Sequence, residues 1–149
     1  MRFQELEKLV GNIKNNMNTN YPVGEFLIAL KNASMAKNKS VTIKANKEIV
    51  AIAEALKKLG YLDEVKKAEG PEQGRRNMLT VSLAFRFKKP VLMGLKLVSK
   101  PGLRIYMGVD EIEKRKGPAT YLISSPKGII STKDAVKNRM GGEVIAEIL

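Results

Sequence analysis

Apolar residues at Phe3, Leu6, Val10, Ile13 and Met17 are spaced by alternating threes and fours, which lines one face of a helix. The polar run over residues 15–20 ends that pattern and reads as a linker. Pro22 suits the first position of a second helix, in which Val23, Phe26, Leu27 and Leu30 face a core while Lys31 and Lys37 point outward. Val41 and Ile43 then alternate with polar neighbours as a strand does. Asn46 is placed to cap a third helix carrying Ile49, Val50, Ala53, Leu56 and Leu59, with Gly60 where a helix ends in a left-handed residue.

Residues 61–65 read as a strand, and Gly70, Pro71 and Gly74 as a mobile tip that carries Arg75 and Arg76. Beyond it, Leu79, Val81, Leu83, Phe85 and Phe87 alternate with Thr80, Ser82, Ala84 and Arg86, the pattern of one strand with a single buried face. Lys88, Lys89 and Pro90 break that pattern, and proline cannot donate to a sheet ladder, so a boundary is expected there. Residues 91–98 form a strand, Pro101-Gly102 the centre of a type II turn, and residues 103–107 return as a hairpin or a sharp bend. One helical turn is expected over 110–116, a strand over 121–123, and a short helix from Ser131 with Asp134 as its capping partner. Gly141-Gly142 then turns the chain into a last strand over 144–148.

The fold class these elements predict is α+β, as two small subdomains behind an N-terminal helical extension. Residues 1–20 are the extension and residues 21–89 a helix-strand-helix-hairpin unit. Residues 90–149 form a mostly antiparallel β unit with short helices.

Charge changes the picture. The 149 residues include 27 Lys+Arg against 15 Asp+Glu, a formal net charge of +12, which suits a polyanionic partner. Hydrophobic residues at 44% still suffice for a core, so the charge decorates a fold and does not prevent one. A chain of this length buries roughly 70% of the surface its unfolded form exposes. The absence of Cys and His removes disulfides, Cys/His zinc sites, cysteine nucleophiles and histidine bases together, and no cofactor is expected. No run of 18 apolar residues exists, and Glu5 and Glu7 count against both an export signal and a mitochondrial transit peptide. A soluble protein that does not engage membranes is therefore expected.

Three stretches in the second half carry a resemblance: LVSKPGLRIY at 97–106, ISSPKGIIST at 123–132 and GGEVI at 141–145. In that order and at about that separation they resemble the C-terminal half of the family of the eighth protein of the small ribosomal subunit, bacterial or organellar type. Residues 22–32 and 49–61 resemble that family's first two helices, so the likeness covers about residues 21–149. Tyr21-Pro22 stands where the family usually shows Asp-Pro, and Ser124-Ser125-Pro126 where it shows Ser-Thr-Ser, which costs the loop a hydroxyl. The stretch 114–120 is about one residue short and lacks the family's usual glycines, and residues 1–20 have no counterpart in a typical bacterial member.

The resemblance implies a structural constituent of the small ribosomal subunit, not an enzyme. It also implies that the loop after the 121–123 strand packs into an irregular part of the central domain of the small-subunit ribosomal RNA and aids its folding and assembly. Residue chemistry agrees: proteins read RNA loops, bulges and 2′-hydroxyls, for which side chains that both donate and accept are suited. Ser124 and Ser125 have that capacity, Pro126 stiffens the loop, Lys127 offers a charge for a phosphate and Gly128 permits close backbone approach. The plainer reading is an ordinary turn, since Ser, Pro and Gly are turn residues.

Tyr106 could stack on a base, with Arg104 on the same strand face, or be a half-buried strand tyrosine. Glu143 would accept from base amino groups or 2′-hydroxyls, orient Lys127 or backbone amides, or simply end a strand in solvent. Lys31, Lys37, Lys39, Lys44 and Lys47 suggest a second phosphate footprint, although each alone reads as a solvated lysine.

Expected partners are small-subunit ribosomal RNA and neighbouring small-subunit proteins; the apolar stripe of the N-terminal helix is expected to pack on its own domain or on one of those neighbours, and no homo-oligomer is expected. The expected location is the cytoplasmic ribosome, or an organellar one. Two rivals stand beside this reading. An enzyme would use Ser124 or Ser125 with Lys127 as a nucleophile pair, but no third orienting group or substrate pocket can be read. A free RNA-binding regulator differs only in partner, and members of the family are thought to bind their own messenger.

Overall fold

The computed structural model describes residues 21–68, 78–115 and 117–149; the helix expected over 3–17 and the tip over 70–76 lie outside the described residues. Helix α1 (Pro22–Met35) starts with proline at its first position, and its Phe26, Leu27 and Leu30 are fully buried. It ends with Lys37 at φ 58°, in the left-handed seat glycine usually takes, while Asn38 donates back to the Ala33 carbonyl at 2.8 Å. Strand β1 (Ser40–Lys44) comes next, then helix α2 (Lys47–Lys58), whose cap is the expected one: Asn46 accepts from the Ile49 amide at 2.8 Å. Gly60 closes that helix at φ 91°.

Strands β2 (Leu62–Ala68) and β3 (Met78–Leu83) complete a three-stranded antiparallel sheet of order β1-β3-β2. The alternation predicted one strand as far as Phe87, but the ladder ends at Leu83. There the amides of Leu83 and Ala84 are taken by Lys39 and Tyr61 carbonyls, and the strand runs out of partners. The chain continues into a separate two-stranded hairpin, β4 (Phe85–Arg86) with β5 (Lys89–Pro90), turning on Phe87 and Lys88. The predicted inward position of Phe87 is therefore corrected: its side chain is 92% exposed.

The strand expected over 91–98 is shortened to β6 (Leu95–Leu97), because the amides of Met93 and Gly94 donate to the Leu149 carbonyl. The expected return is likewise only β7 (Tyr106–Met107). Neither pairs with the other. Both lie antiparallel on one edge of β10 (Gly142–Ile148), so they act as one interrupted strand with residues 98–105 thrown out between them. The Pro101-Gly102 turn sits on that excursion with Gly102 at φ 81°, closed by reciprocal 2.9 Å bonds between Lys100 and Leu103. Helix α3 (Val109–Lys114), strands β8 (Thr120–Ser125) and β9 (Gly128–Ser131) and helix α4 (Thr132–Lys137) complete the chain. Ser131 caps α4 as expected, accepting from the Asp134 amide at 3.4 Å. The second sheet has the order β6-β10-β8-β9, with β7 also on β10.

The α+β class predicted from sequence is the one observed. Helix α1 packs on β1 and β6, and α2 on β2 and β9, so the larger core joins Val23, Phe26 and Leu56 of the two helices to Val81, Leu122 and Ile148 of the two sheets. Each large apolar side chain removed from water there contributes about 1.5–3 kcal/mol. A smaller core on the other face of the second sheet gathers Met107, Ile112, Tyr121, Ile123, Ala135 and Val144 beneath α3 and α4. Among the described residues, no helix is long and apolar enough to cross a membrane.

Candidate nucleic-acid interface

The three family-like stretches converge on the start of β10. Register pairs Glu143 with Ser124 of β8 on one side and with Tyr106 of β7 on the other, and Ser124 with Ile129 of β9. Residues directly opposite in antiparallel strands project from the same face with β-carbons about 4.5–5.5 Å apart, so Tyr106, Glu143, Ser124 and Ile129 form one row across the sheet. Their neighbours Ile123 and Val144 point the other way, into the smaller core, which anchors the row from behind. The paired glycines make this convergence sterically possible. A β-carbon at Gly142 would be driven into the Ser124 carbonyl, and one at Gly141 into the Met107 carbonyl.

Arg104 is not within a strand, as its spacing predicted; it lies in the excursion before β7. From there its guanidinium reaches Glu143 at 3.1 Å and stands 5.2 Å from the centre of the Tyr21 ring. Glu143 thus orients Arg104, not Lys127. The hydrogen bond to Glu143 raises the affinity of Arg104 for its proton, so the cation is permanent. Its five donors outnumber the acceptors it meets here, leaving N–H groups for an incoming acceptor.

Ser99 holds the excursion in place. Fully buried, its hydroxyl donates to the Val144 carbonyl at 2.6 Å and accepts from the Ile105 amide at 3.0 Å, satisfying two backbone groups where the strand is interrupted. Tyr21 braces the same loop from α1: its phenol donates to the Ser99 carbonyl at 3.2 Å, and its ring lies on Gly24. Burial raises the Tyr21 pKa above the ordinary tyrosine value, partly offset by the nearby Arg104 charge and reinforced by Glu143 and Glu48. Sequence reasoning gave Ser99 and Glu48 no role, and met Tyr21 only as a departure from the family's aspartate. The signal available was Ser99's place inside the 97–106 stretch.

Ser124 and Ser125 sit at the end of β8, joined to β9 by the two-residue corner Pro126-Lys127, with Ser125 paired to Gly128. Their roles divide. The Ser125 hydroxyl closes the turn, donating to the Gly128 carbonyl at 2.8 Å and accepting from the Lys127 amide at 3.2 Å. Ser124, half-buried in the row beside Glu143, makes no side-chain hydrogen bond to the described residues. Gly128 carries the positive φ, 113°, that lets this corner return into β9.

Tyr106 is 68% exposed, with its ring open to stacking. Pro126, Lys127 and Gly128 are exposed at the hairpin tip. Lys31 and Lys37 lie elsewhere along α1: Lys31 is about 15 Å along the helix from Tyr21, and Lys37 follows the last helical residue, Met35. Lys31 is half-buried and Lys37 exposed.

Comparisons with known proteins fit this geometry. The family model described as Ribosomal protein S8 matches residues 21–149. The small ribosomal subunit protein uS8 of Persephonella marina is 37% identical over 131 residues, covering 85% of this chain and 96% of that protein. Those of Spiroplasma kunkelii and Mycoplasmopsis synoviae are 38% and 36% identical over 127 and 128 residues, each covering 85% of this chain, and 95% and 96% of the relative. A match over the whole described region, on the stretches that meet at the start of β10, makes this chain a member of the ribosomal protein S8 family.

Proposed function

We propose that this protein is a structural constituent of the small ribosomal subunit that binds the central domain of the small-subunit ribosomal RNA and supports its folding and assembly. The family consists of structural ribosomal proteins, not enzymes. The observation that carries the finer reading is the Tyr106–Glu143–Ser124 row with Arg104 beside it. It presents an aromatic face, an acceptor, a hydroxyl of both kinds and a fixed cation within one patch, which is what an irregular RNA with splayed bases and exposed 2′-hydroxyls requires.

Ser124 supplies the hydroxyl for RNA, while Ser125 shapes the turn that presents it. Lys127 and the more distant Lys31 and Lys37 add phosphate contacts that position the protein without reading sequence. Neighbouring small-subunit proteins are the further partners. An RNA with the same irregular fold in the protein's own messenger would meet the same surface.

The test compares binding of a central-domain ribosomal RNA fragment with an unrelated RNA of equal length. Ser124→Ala and Glu143→Gln should weaken the cognate complex by about 0.5–1.5 kcal/mol each, or about 1–3 kcal/mol where an RNA group is left unpaired, and leave the unrelated RNA untouched. Variants that bind both RNAs as the parent does would move recognition away from the row. Sedimentation with small subunits at moderate salt separates a ribosomal component from a free regulator.

A further inference from the structure

The β4–β5 hairpin is unused by the interface above and is oddly built. Its two corner residues, Phe87 and Lys88, both have positive φ, 53° and 65°, in a two-residue turn that Asn-Gly forms without strain. Instead of a small residue, the apex holds a phenylalanine that is 92% exposed, with Arg86, Lys88 and Lys89 exposed on either side. An aromatic ring in water at a strained position is costly twice over, through solvation and through backbone conformation.

The hairpin is firmly based. The Leu83 amide donates to the Lys39 carbonyl at 2.8 Å, the Val91 amide to the Ala84 carbonyl at 2.9 Å, and Ser34 of α1 bonds the Leu92 carbonyl. These bonds tie the hairpin's root to the α1–β1 loop, whose Lys37 and Lys39 are also exposed. Five cations and one aromatic apex are thereby carried by adjoining segments, with no acidic residue in 33–46 or in 78–109.

We propose that this hairpin is a stacking finger for RNA: the Phe87 ring lies against an unpaired base while Arg86, Lys88, Lys89, Lys37 and Lys39 hold the flanking phosphates. Every base has a face on which an aromatic ring can stack, and basic side chains track the backbone beside it. Two exposed methionines, Met35 and Met93, flank the hairpin's root, but a protein-docking surface would be less densely cationic than this one, with lysines depleted and not clustered around the aromatic ring. The proposal rests on the ribosomal reading for its natural ligand, but its chemistry is separable from the Ser124 row.

The protein contains no tryptophan, so full-length Phe87→Trp carries a single indole reporter. Its emission should be quenched saturably by a 12-nucleotide oligoadenylate and much less by inorganic polyphosphate of equal charge. Phe87→Asn keeps every cation and suits the left-handed corner, so it preserves the hairpin. It should bind the oligoadenylate about 5- to 100-fold more weakly, with polyphosphate binding and the salt slope unchanged. Equal quenching by polyphosphate, or Phe87→Asn binding oligoadenylate as the parent does, overturns the finger. If Phe87→Asn keeps its oligoadenylate affinity yet loses retention in small subunits, the apex contacts protein and the proposal is likewise overturned. Parent binding to the ribosomal RNA fragment reports separately on the proposed function.

Discussion

Ser99 shows how much one side chain can organise. Replacing it with alanine should strand the Val144 carbonyl and the Ile105 amide in a buried site, costing about 1–3 kcal/mol. The urea midpoint should fall with little change in slope, and cognate RNA affinity should fall with it as the excursion holding Arg104 loosens. Tyr21 makes a pH-dependent claim. Its folded pKa is raised, so the neutral phenol is the form the fold prefers. The stability it contributes is fully present below the unfolded value of about 10 and is lost as pH rises through the folded value. Tyr21→Phe should remove that part of the alkaline decline while lowering stability at neutral pH by about 0.5–1.5 kcal/mol, through the lost bond to Ser99. Thermal unfolding of both proteins between pH 7 and 11 checks this.

At the scale of elements, the caps and corners behave as local chemistry dictates, and the exceptions are mostly charged. Among the described residues, the non-glycine positions with positive φ are Lys37, Phe87, Lys88 and Arg139, three of them cations. Lys37 and Arg139 take the helix-ending seat that glycine fills in most proteins. Lys37→Gly should therefore leave stability equal or raise it by up to about 1 kcal/mol, while weakening RNA binding. Calorimetry and a binding titration on the same sample would show whether the two effects have opposite signs. Gly142→Ala should do the reverse: the added methyl group meets the Ser124 backbone, so the β8–β10 ladder must part, at about 1–3 kcal/mol. Loss of cognate RNA affinity should accompany it.

For the whole molecule, the +12 charge sets the long-range behaviour. Log affinity for RNA should fall with log salt by about 0.7–0.9 for each phosphate neutralised, giving a slope of several units. Changing Lys31, Lys37 and Lys127 together to alanine should flatten it by roughly one unit for each lost contact, for cognate and unrelated RNA alike. Ser124→Ala should leave the slope unchanged, because a neutral hydroxyl releases no counterions. Titrations at four salt concentrations separate the two behaviours; a flat slope for the parent would remove the electrostatic footprint.

Periodicity and cap residues alone determined α1, α2 with its Asn46 cap, the alternating β3 and the α4 cap at Ser131, because those depend on neighbours within one turn or one strand. The absence of Cys and His narrowed the chemistry, and the three ordered motifs pointed to the family. Tertiary structure decided how those motifs meet. Whether β6 and β7 pair with each other or share an edge of β10 depends on residues far along the chain, Ala146–Ile148 for β6 and Gly142–Glu143 for β7. The same holds for Glu143, whose partner Arg104 reaches it from a loop 39 residues earlier, and for Ser124 and Ser125, which alternation could not divide into a contact and a turn closure. Phe87 read as core because alternation records only side-chain direction along a strand. The strand itself ends where its hydrogen-bonding partners do, and those are set by the Lys39 and Tyr61 carbonyls brought in by the fold.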